Sequence, residues 1–343
     1  MSLSHRGFRL LMTIQLMTIK LMVTKLRLKP PSDGRASRDG EPSLLGGRSA
    51  AAAKTASKAE RMKTCFICQD IGFRRCLVAI CLALSAAGAA HAQELQGQFE
   101  PTVGQAGKDV VWVPTPYELV EKMLDMANVT PQDFVVDLGS GDGRNVVAAA
   151  KRGARALGVE YNPNMVELSR RMAAKEGVAD KATFVEGDMF EADFSKATVL
   201  ALFLLPDNMN RLRTKFFNLR PGTRIVANTF GIEGWNADLT EVIGGSCQSW
   251  CTSLFWVVPA KIDGTWRLPQ GQLTVKQDYQ MFSGTLTAGG RTTPITNGRL
   301  RGERLVFTAG DAEYIGSANG DTMQGSVKAG ERNEQWSATR VPQ

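Results

Sequence analysis

The stretch Asp137–Arg144, DLGSGDGR, places three glycines, Gly139, Gly141 and Gly143, at alternate positions with Ser140 and Asp142 between them. It follows the apolar run FVVDLG and precedes NVVAAAKRG. Glycines where a strand turns into a helix let a ligand approach the backbone. The helix start supplies N–H groups without intrahelical partners. Two acids stand downstream at comparable places. Glu160 closes ARALGVE, 23 residues after Asp137, and Asp188 follows ATFVEG, in EGDMF. An acid at the end of a second strand can hydrogen-bond a ribose diol. A carboxylate at the end of a third can accept from an exocyclic amino group. The set therefore points to a nucleotide-like ligand.

Other groups suit chemistry beside such a ligand. Pro206, Asp207 and Asn208 follow the apolar run ATVLALFLL, Phe230 ends TRIVANTF and Trp235 lies five residues beyond it. Asp207 and Asn208 are the candidates for a proton-accepting or polar catalytic role. Phe230 and Trp235 could wall a channel for an alkyl-ammonium through cation–π contact. Core packing explains those aromatics equally well, and capping its own helix explains Asp207. Several reaction types are excluded. Both histidines, His5 and His91, lie near or in a leader-like region, so residues 93–343 hold none. Histidine-based triads and histidine-ligated metals are absent from that stretch. No G-x-x-x-x-G-K-[ST] loop occurs.

The elements that must position these residues can be read in order. In VPTPYELVEKML, Thr115 can cap a helix with Pro116 at its first position and Glu118 three residues on, a capping box. From Phe134 the pattern runs strand, helix, strand, helix, strand, with Asn162 capping the second of these helices. ATVLALFLL is apolar on both faces, as in a covered central strand. A helix from about Asp207 to Leu219 and the strand TRIVANTF follow. Alternating units of this length predict a doubly wound α/β sheet with its ligand at the carboxyl ends of the strands.

A dinucleotide site would show G-x-G-x-x-G, whereas here the third glycine arrives one residue early. DLGSGDGR is similar to motif I of the class I S-adenosylmethionine (SAM)-dependent methyltransferases. With VPTP, Glu160, EGDMFEADF and LLPDNMNRLRTKFFNLRPGTRIVANTFGIEGW, the stretch Val111–Trp235 resembles the seven-strand protein-lysine methyltransferases. The resemblance implies a Rossmann-like seven-strand sheet and SAM as cofactor. It implies that Asp137, Gly139, Ser140, Gly141 and Gly143 line the methionine end, Glu160 holds the ribose, and Asp188 and Met189 hold the adenine. Thr115 and Tyr117 would close over the cofactor. Pro206, Phe230 and Trp235 would line the substrate channel, and a protein lysine is an acceptor the family uses. LLPD stands where many methyltransferases acting on DNA bases or glutamine carry N-P-P-Y, which points away from those substrates.

Residues 1–61 are expected to be a doubtful or disordered extension. Residues 62–92 read as a signal peptide or membrane anchor, with Arg74 and Arg75 before an apolar core and Ala90-His91-Ala92 as cleavage site. Residues 1–92 carry 15 Lys/Arg against 5 Asp/Glu, the remainder 26 against 29, so the net charge of +7 belongs to the leader. That argues against a nucleic-acid partner. Residues 93–108 read as a linker, 109–267 as the methyltransferase domain with SLFWVVPA and GTWRL as closing strands, and 268–343 as a small antiparallel meander. Arg299, Arg301 and Arg304 are expected on a solvated face. Cys247 and Cys251 are able to pair or to remain free thiols. An exported non-enzymatic binding module on this fold, or a nicotinamide-dependent oxidoreductase, are the alternatives to a methyltransferase. Export, tethering and cytoplasmic retention stay open, because SAM is made in the cytoplasm.

Overall fold

The computed structural model describes residues 99–245 and 247–342. The expected extension, leader and cleavage site therefore lie outside the described residues. The first part is a seven-stranded sheet with helices on both faces. Its elements are α1 (Tyr117–Met126), β1 (Phe134–Leu138), α2 (Arg144–Lys151), β2 (Arg155–Glu160), α3 (Pro163–Lys175), β3 (Ala182–Glu186), β4 (Val199–Leu202), α4 (Pro206–Phe217), β5 (Arg224–Asn228), β6 (Leu239–Val242) and β7 (Thr252–Val257). The strand order is β3-β2-β1-β4-β5-β7-β6. The first five strands are parallel, whereas β7 runs antiparallel to both β5 and β6. The order reverses between β1 and β4, which is where open α/β sheets leave a ligand crevice.

Both faces of the sheet are covered, which explains the unbroken apolar runs. Val135 faces a core with Leu119, Val120 and Leu124 of α1, Val146 and Ala150 of α2, and Val166 and Ala173 of α3. Val136 and Leu138 face the other core, with Met209, Leu212 and Phe216 of α4. Four-residue β4 is buried at every position.

The cap at Asn162 forms as expected, its side chain accepting from the Asn164 amide with Pro163 following. The capping box at Thr115 does not. The N-cap of α1 is Pro116, without a side-chain cap. Thr115 Oγ1 instead accepts from Asn228 Nδ2 at 3.3 Å. A tertiary partner at the end of β5 has taken the hydroxyl that local pattern assigned to the helix.

The second part is the expected antiparallel meander, its eight strands closed into a barrel. Its strands are β8 (Gly264–Leu268), β9 (Gly271–Asp278), β10 (Met281–Ala288), β11 (Arg291–Arg301), β12 (Arg304–Ala309), β13 (Ala312–Asn319), β14 (Thr322–Ala329) and β15 (Arg332–Arg340). GTWRL, expected to close the first sheet, is β8, and it closes the barrel by pairing with β9 and β15. The barrel therefore begins a few residues before the expected boundary at 268. Closure removes exposed strand edges. Trp266, Phe282, Phe307, Tyr314, Met323 and Trp336 fill the interior.

The barrel docks on the sheet domain through residues read otherwise from sequence. Trp235 is 1% exposed, stacks on Tyr279 at 5.0 Å and meets Phe217 edge-on at 5.7 Å. It is a joint between the two parts, not a channel wall. Arg299 pairs with Asp238 at 2.8 Å, and the Arg301 guanidinium lies 6.0 Å from the Phe255 ring. Arg299, Arg301 and Arg304 are exposed, as expected of a solvated face, and the first two also reach the sheet domain.

Candidate active site

The turn after β1 is built by its glycines. Gly139, Gly141 and Gly143 have φ of 70°, 55° and 80°, the region that side chains disfavour. A Cβ added to Gly143 would lie 2.6 Å from Phe184 Cε1 and 2.8 Å from Ser169 Cβ, so this glycine lets α2 seat against β3 and α3. Around Gly139 the space is freer: Leu204 and Met189 are the nearest side chains, at 3.4 and 3.8 Å from the same kind of added atom. Motif turn, Met189 and the end of β4 thus converge.

Glu160 braces this turn. One carboxylate oxygen accepts from the Gly141 amide and the other from the Asn162 amide, each at 2.9 Å. Each oxygen keeps a lone pair, so the carboxylate can still receive ribose hydroxyls. Asp137 is 3% exposed and accepts from Asn145 Nδ2 at 3.1 Å. Burial lifts its carboxyl well above the usual range; the Asn145 amide opposes this, and Glu160 and Asp142 add to it. Ser140 Oγ and Asn145 Oδ1 are buried without a hydrogen-bond partner. A cationic ligand with polar groups, bound against the turn, would satisfy these groups. The residues present fit SAM on that ground.

A short hairpin crosses the turn where a linker was expected. The Gly104 amide donates to Trp112 O and the Trp112 amide to Gln105 O, with Ala106 and Val111 bridged. A Cβ on Gly141 would lie 2.7 Å from Trp112 Nε1. Lys108 Nζ pairs with Asp188 at 2.6 Å and sits 4.5 Å from the Tyr161 ring centroid. The hydrogen bond to Lys108, together with the Phe190 amide, holds the Asp188 carboxyl below the usual range. Asp188, assigned to adenine from sequence, is thus shared with a lysine of the hairpin.

The segment before α1 is pinned by Arg144, which pairs with Asp142 and donates to Thr115 O. Thr115 is buried, with its hydroxyl on Asn228. Tyr117 is 58% exposed and its ring lies on the Arg144 guanidinium at 4.6 Å, on the outside of this cluster. Pro206 and exposed Asp207 lie in the first turn of α4, whose N-cap is Leu205, so Asp207 does not cap it. Asn208 is buried and its Nδ2 has no partner. Among the described residues no group of three or more potential ligands stands ready for a metal.

Residues 137–239 match the ANTKMT methyltransferase domain family. A protein-lysine N-methyltransferase of Saccharolobus islandicus (strain REY15A) is 43% identical over 130 residues, 37% of this chain and 81% of that protein. The chain belongs to the class I SAM-dependent methyltransferases, in the family of these protein-lysine enzymes. The adenine nucleotide translocase lysine N-methyltransferase of Mus musculus is 33% identical over 144 residues, with 41% of this chain and 62% of that protein covered. The chain thus spans less than two thirds of that mammalian methyltransferase. A crystal structure of an RNA methyltransferase from Salinibacter ruber with S-adenosyl-L-homocysteine is 43% identical, covering 44% of this chain and 96% of that one, with a TM-score of 0.41.

Membership decides between the cofactors: this methyltransferase uses SAM, not a nicotinamide dinucleotide. Sequence reasoning found the glycine turn and its acids. It missed Asn145, Asn228, Trp112 and Lys108, which meet the turn, its acids or Thr115 only through folding.

Proposed function

We propose that this methyltransferase acts on the side-chain amine of a lysine in a protein. The observation that carries the reading is the aromatic lining of the crevice at the carboxyl ends of β4 and β5. Phe203 directly follows β4 and Phe230 lies two residues past β5, with their rings stacked at 6.2 Å. Both are half-buried and lie outside the two cores of the sheet. Such a surface suits the alkyl stem and the ammonium of lysine together. The lysine specificity of the relatives named above supports the same reading.

SAM supplies a methyl group already activated on its sulfonium, so the protein's task is alignment and exclusion of water. The acceptor amine must first give up a proton to solvent. Placement against Phe203 and Phe230 lowers the amine's pKa by desolvation. The neutral nitrogen, held there, would be the nucleophile for the methyl group that bound SAM would supply. The buried amide of Asn208, in the first turn of α4, has no partner for its Nδ2, and we assign it the task of orienting the acceptor. Asp207, exposed beside it, has a surface role.

The test is to incubate the full chain with methyl-labelled SAM and protein extract, and to locate the label by mass spectrometry. The expected result is label on lysine Nε. Label confined to RNA, carboxylates or small molecules would sink the reading.

We also place the protein in an oxidising compartment. The Cys247–Cys251 disulfide supports this, as does the leader-like pattern of residues 62–92. Mapping the mature N-terminus in fractionated cells tests it; a chain recovered only from cytoplasm with the leader intact would contradict it.

A further inference from the structure

We infer that Trp250 is a third wall of the acceptor site and that the Cys247–Cys251 disulfide is what holds it there. The inference rests on the lysine reading above.

Trp250 sits in the connection between β6 and β7, inside the five-residue ring closed by Cys247–Cys251. Its ring centroid lies 5.3 Å from that of Phe230 and 6.0 Å from that of Phe203. With the Phe203–Phe230 distance of 6.2 Å, the three rings touch one another in a triangle. They form one continuous π surface, not a closed box. All three are half-buried, and none belongs to a hydrophobic core of the protein. Among the described residues several Lys and Arg side chains lie over aromatic rings, and none of those rings is one of these three. A cation from outside the chain is the occupant this inference assigns to them.

Backbone strain marks the same place. Trp250 has φ of 61° and Thr229, which carries Phe230 into position, has φ of 59°. A left-handed conformation is costly for a bulky or β-branched residue and persists only where the surroundings enforce it. At Thr229 the enforcement is visible. Its amide donates to Thr252 O at 2.7 Å, and the Phe230 amide folds back onto Asn228 O at 2.6 Å. At Trp250 the constraint is the short disulfide ring, with the Ile243 amide fixing Cys251 O at 2.9 Å. The covalent ring is the tighter of these restraints, so cutting it frees Trp250 to leave the left-handed region. The indole would be expected to swing away from Phe203 and Phe230.

The chemistry recognised is an alkyl-ammonium next to the reacting methyl. Phe203 leaves the end of β4 one residue before Leu204, which packs against Gly139 of the cofactor turn. Trp250 is thus a specificity residue for the acceptor, and the cysteines are positioning residues. Acceptor binding becomes dependent on the disulfide, while cofactor binding does not.

The test uses the full chain saturated with S-adenosylhomocysteine, titrated with Nα-acetyl-lysine amide and with its neutral norleucine analogue by NMR. The lysine probe is expected to bind more tightly than the norleucine one. Trp250→Ala, the Cys247→Ser/Cys251→Ser pair, and reduction of the native protein should each weaken it about tenfold. Trp250→Phe should restore most of the affinity. Binding of S-adenosylhomocysteine should stay unchanged in all of them, which separates a local effect from misfolding. Equal affinity for both probes, no binding of the lysine probe to the native protein, or indifference to Trp250→Ala would overturn the inference. The two proposals fail separately. Lysine methylation that survives Trp250→Ala with an unchanged KM removes the wall and leaves the function. Ammonium binding without lysine methylation keeps the wall and removes lysine as the acceptor.

Discussion

Asp137 and Glu160 are both acids at strand ends, yet they are used differently. Glu160 is tied by both oxygens to backbone amides, so it shapes the turn as well as being the proposed ribose acid. Asp137 is buried beside Asn145, and burial raises its pKa in the absence of ligand. A SAM molecule carries a sulfonium and an ammonium, so it favours the carboxylate form. Binding should therefore release a proton. The sign follows: affinity for SAM rises as pH rises toward the raised pKa of Asp137, by up to about tenfold per pH unit, and levels off above it. The same shift destabilises the free protein, because a carboxyl whose folded pKa is raised loses stability as pH climbs from its unfolded to its folded value. Calorimetry over a pH series in buffers of different ionisation enthalpy checks this. Asp137→Asn should flatten the pH slope; a slope that persists in the variant contradicts the assignment.

The elements around the site were legible where one periodicity dominated. The runs FVVDL, VLAL and RIVAN are buried on both faces and could only be central strands. Asn162-Pro163 marked a helix start by a local bond that does form. Short β6 was missed because its residues are mostly exposed and alternate no apolar face. GTWRL was misplaced because a five-residue strand says nothing about which sheet it joins. Local pattern put Thr115 on a helix cap, since nothing nearby reveals that Asn228, far along the chain, competes for its hydroxyl.

The loop before β1 shows how such distant bonds set the elements. Asp133 accepts from the Thr130 amide and the Thr198 hydroxyl and pairs with Arg224 of β5. Burial would push its carboxyl up, but these partners prevail and hold it below the usual range. Its contribution is present above the unfolded pKa and is lost as pH falls through the depressed folded one. Asp133→Asn should cost roughly 2–3 kcal/mol near neutral pH, because it leaves Arg224 without its anion. The loss should shrink in acid. Urea denaturation at two pH values measures both, and equal losses at both pH values would contradict the pairing.

At the scale of the whole molecule, the family match ends at residue 239. The barrel is additional to it and filled by its own aromatics. It is fixed to the sheet by the Trp235–Tyr279 stack, the Arg299–Asp238 pair and the Gln280 side chain, which donates to Asn236 O at 2.7 Å. Trp235 precedes the disulfide loop by only a dozen residues but serves this joint, which the local sequence could not distinguish from a channel. Tyr279→Ala should loosen the joint at a cost of roughly 2–3 kcal/mol, the lower end for removing a large ring that is partly exposed. Thermal unfolding should then separate into a barrel and a sheet transition, while SAM affinity changes by less than about twofold. A single unchanged transition would mean that the two parts are not coupled through this stack.

Everything proposed for the acceptor side depends on the glycine turn and Glu160 being the seat of SAM. The most direct measurement is calorimetric titration of SAM, and separately of NAD, into the folded protein and its Glu160→Ala variant. The expected result is micromolar binding of SAM, no binding of NAD, and a loss of about tenfold or more in the variant, or roughly 1.4 kcal/mol. A folded protein that ignores SAM, or that binds it equally well without Glu160, would contradict that seat.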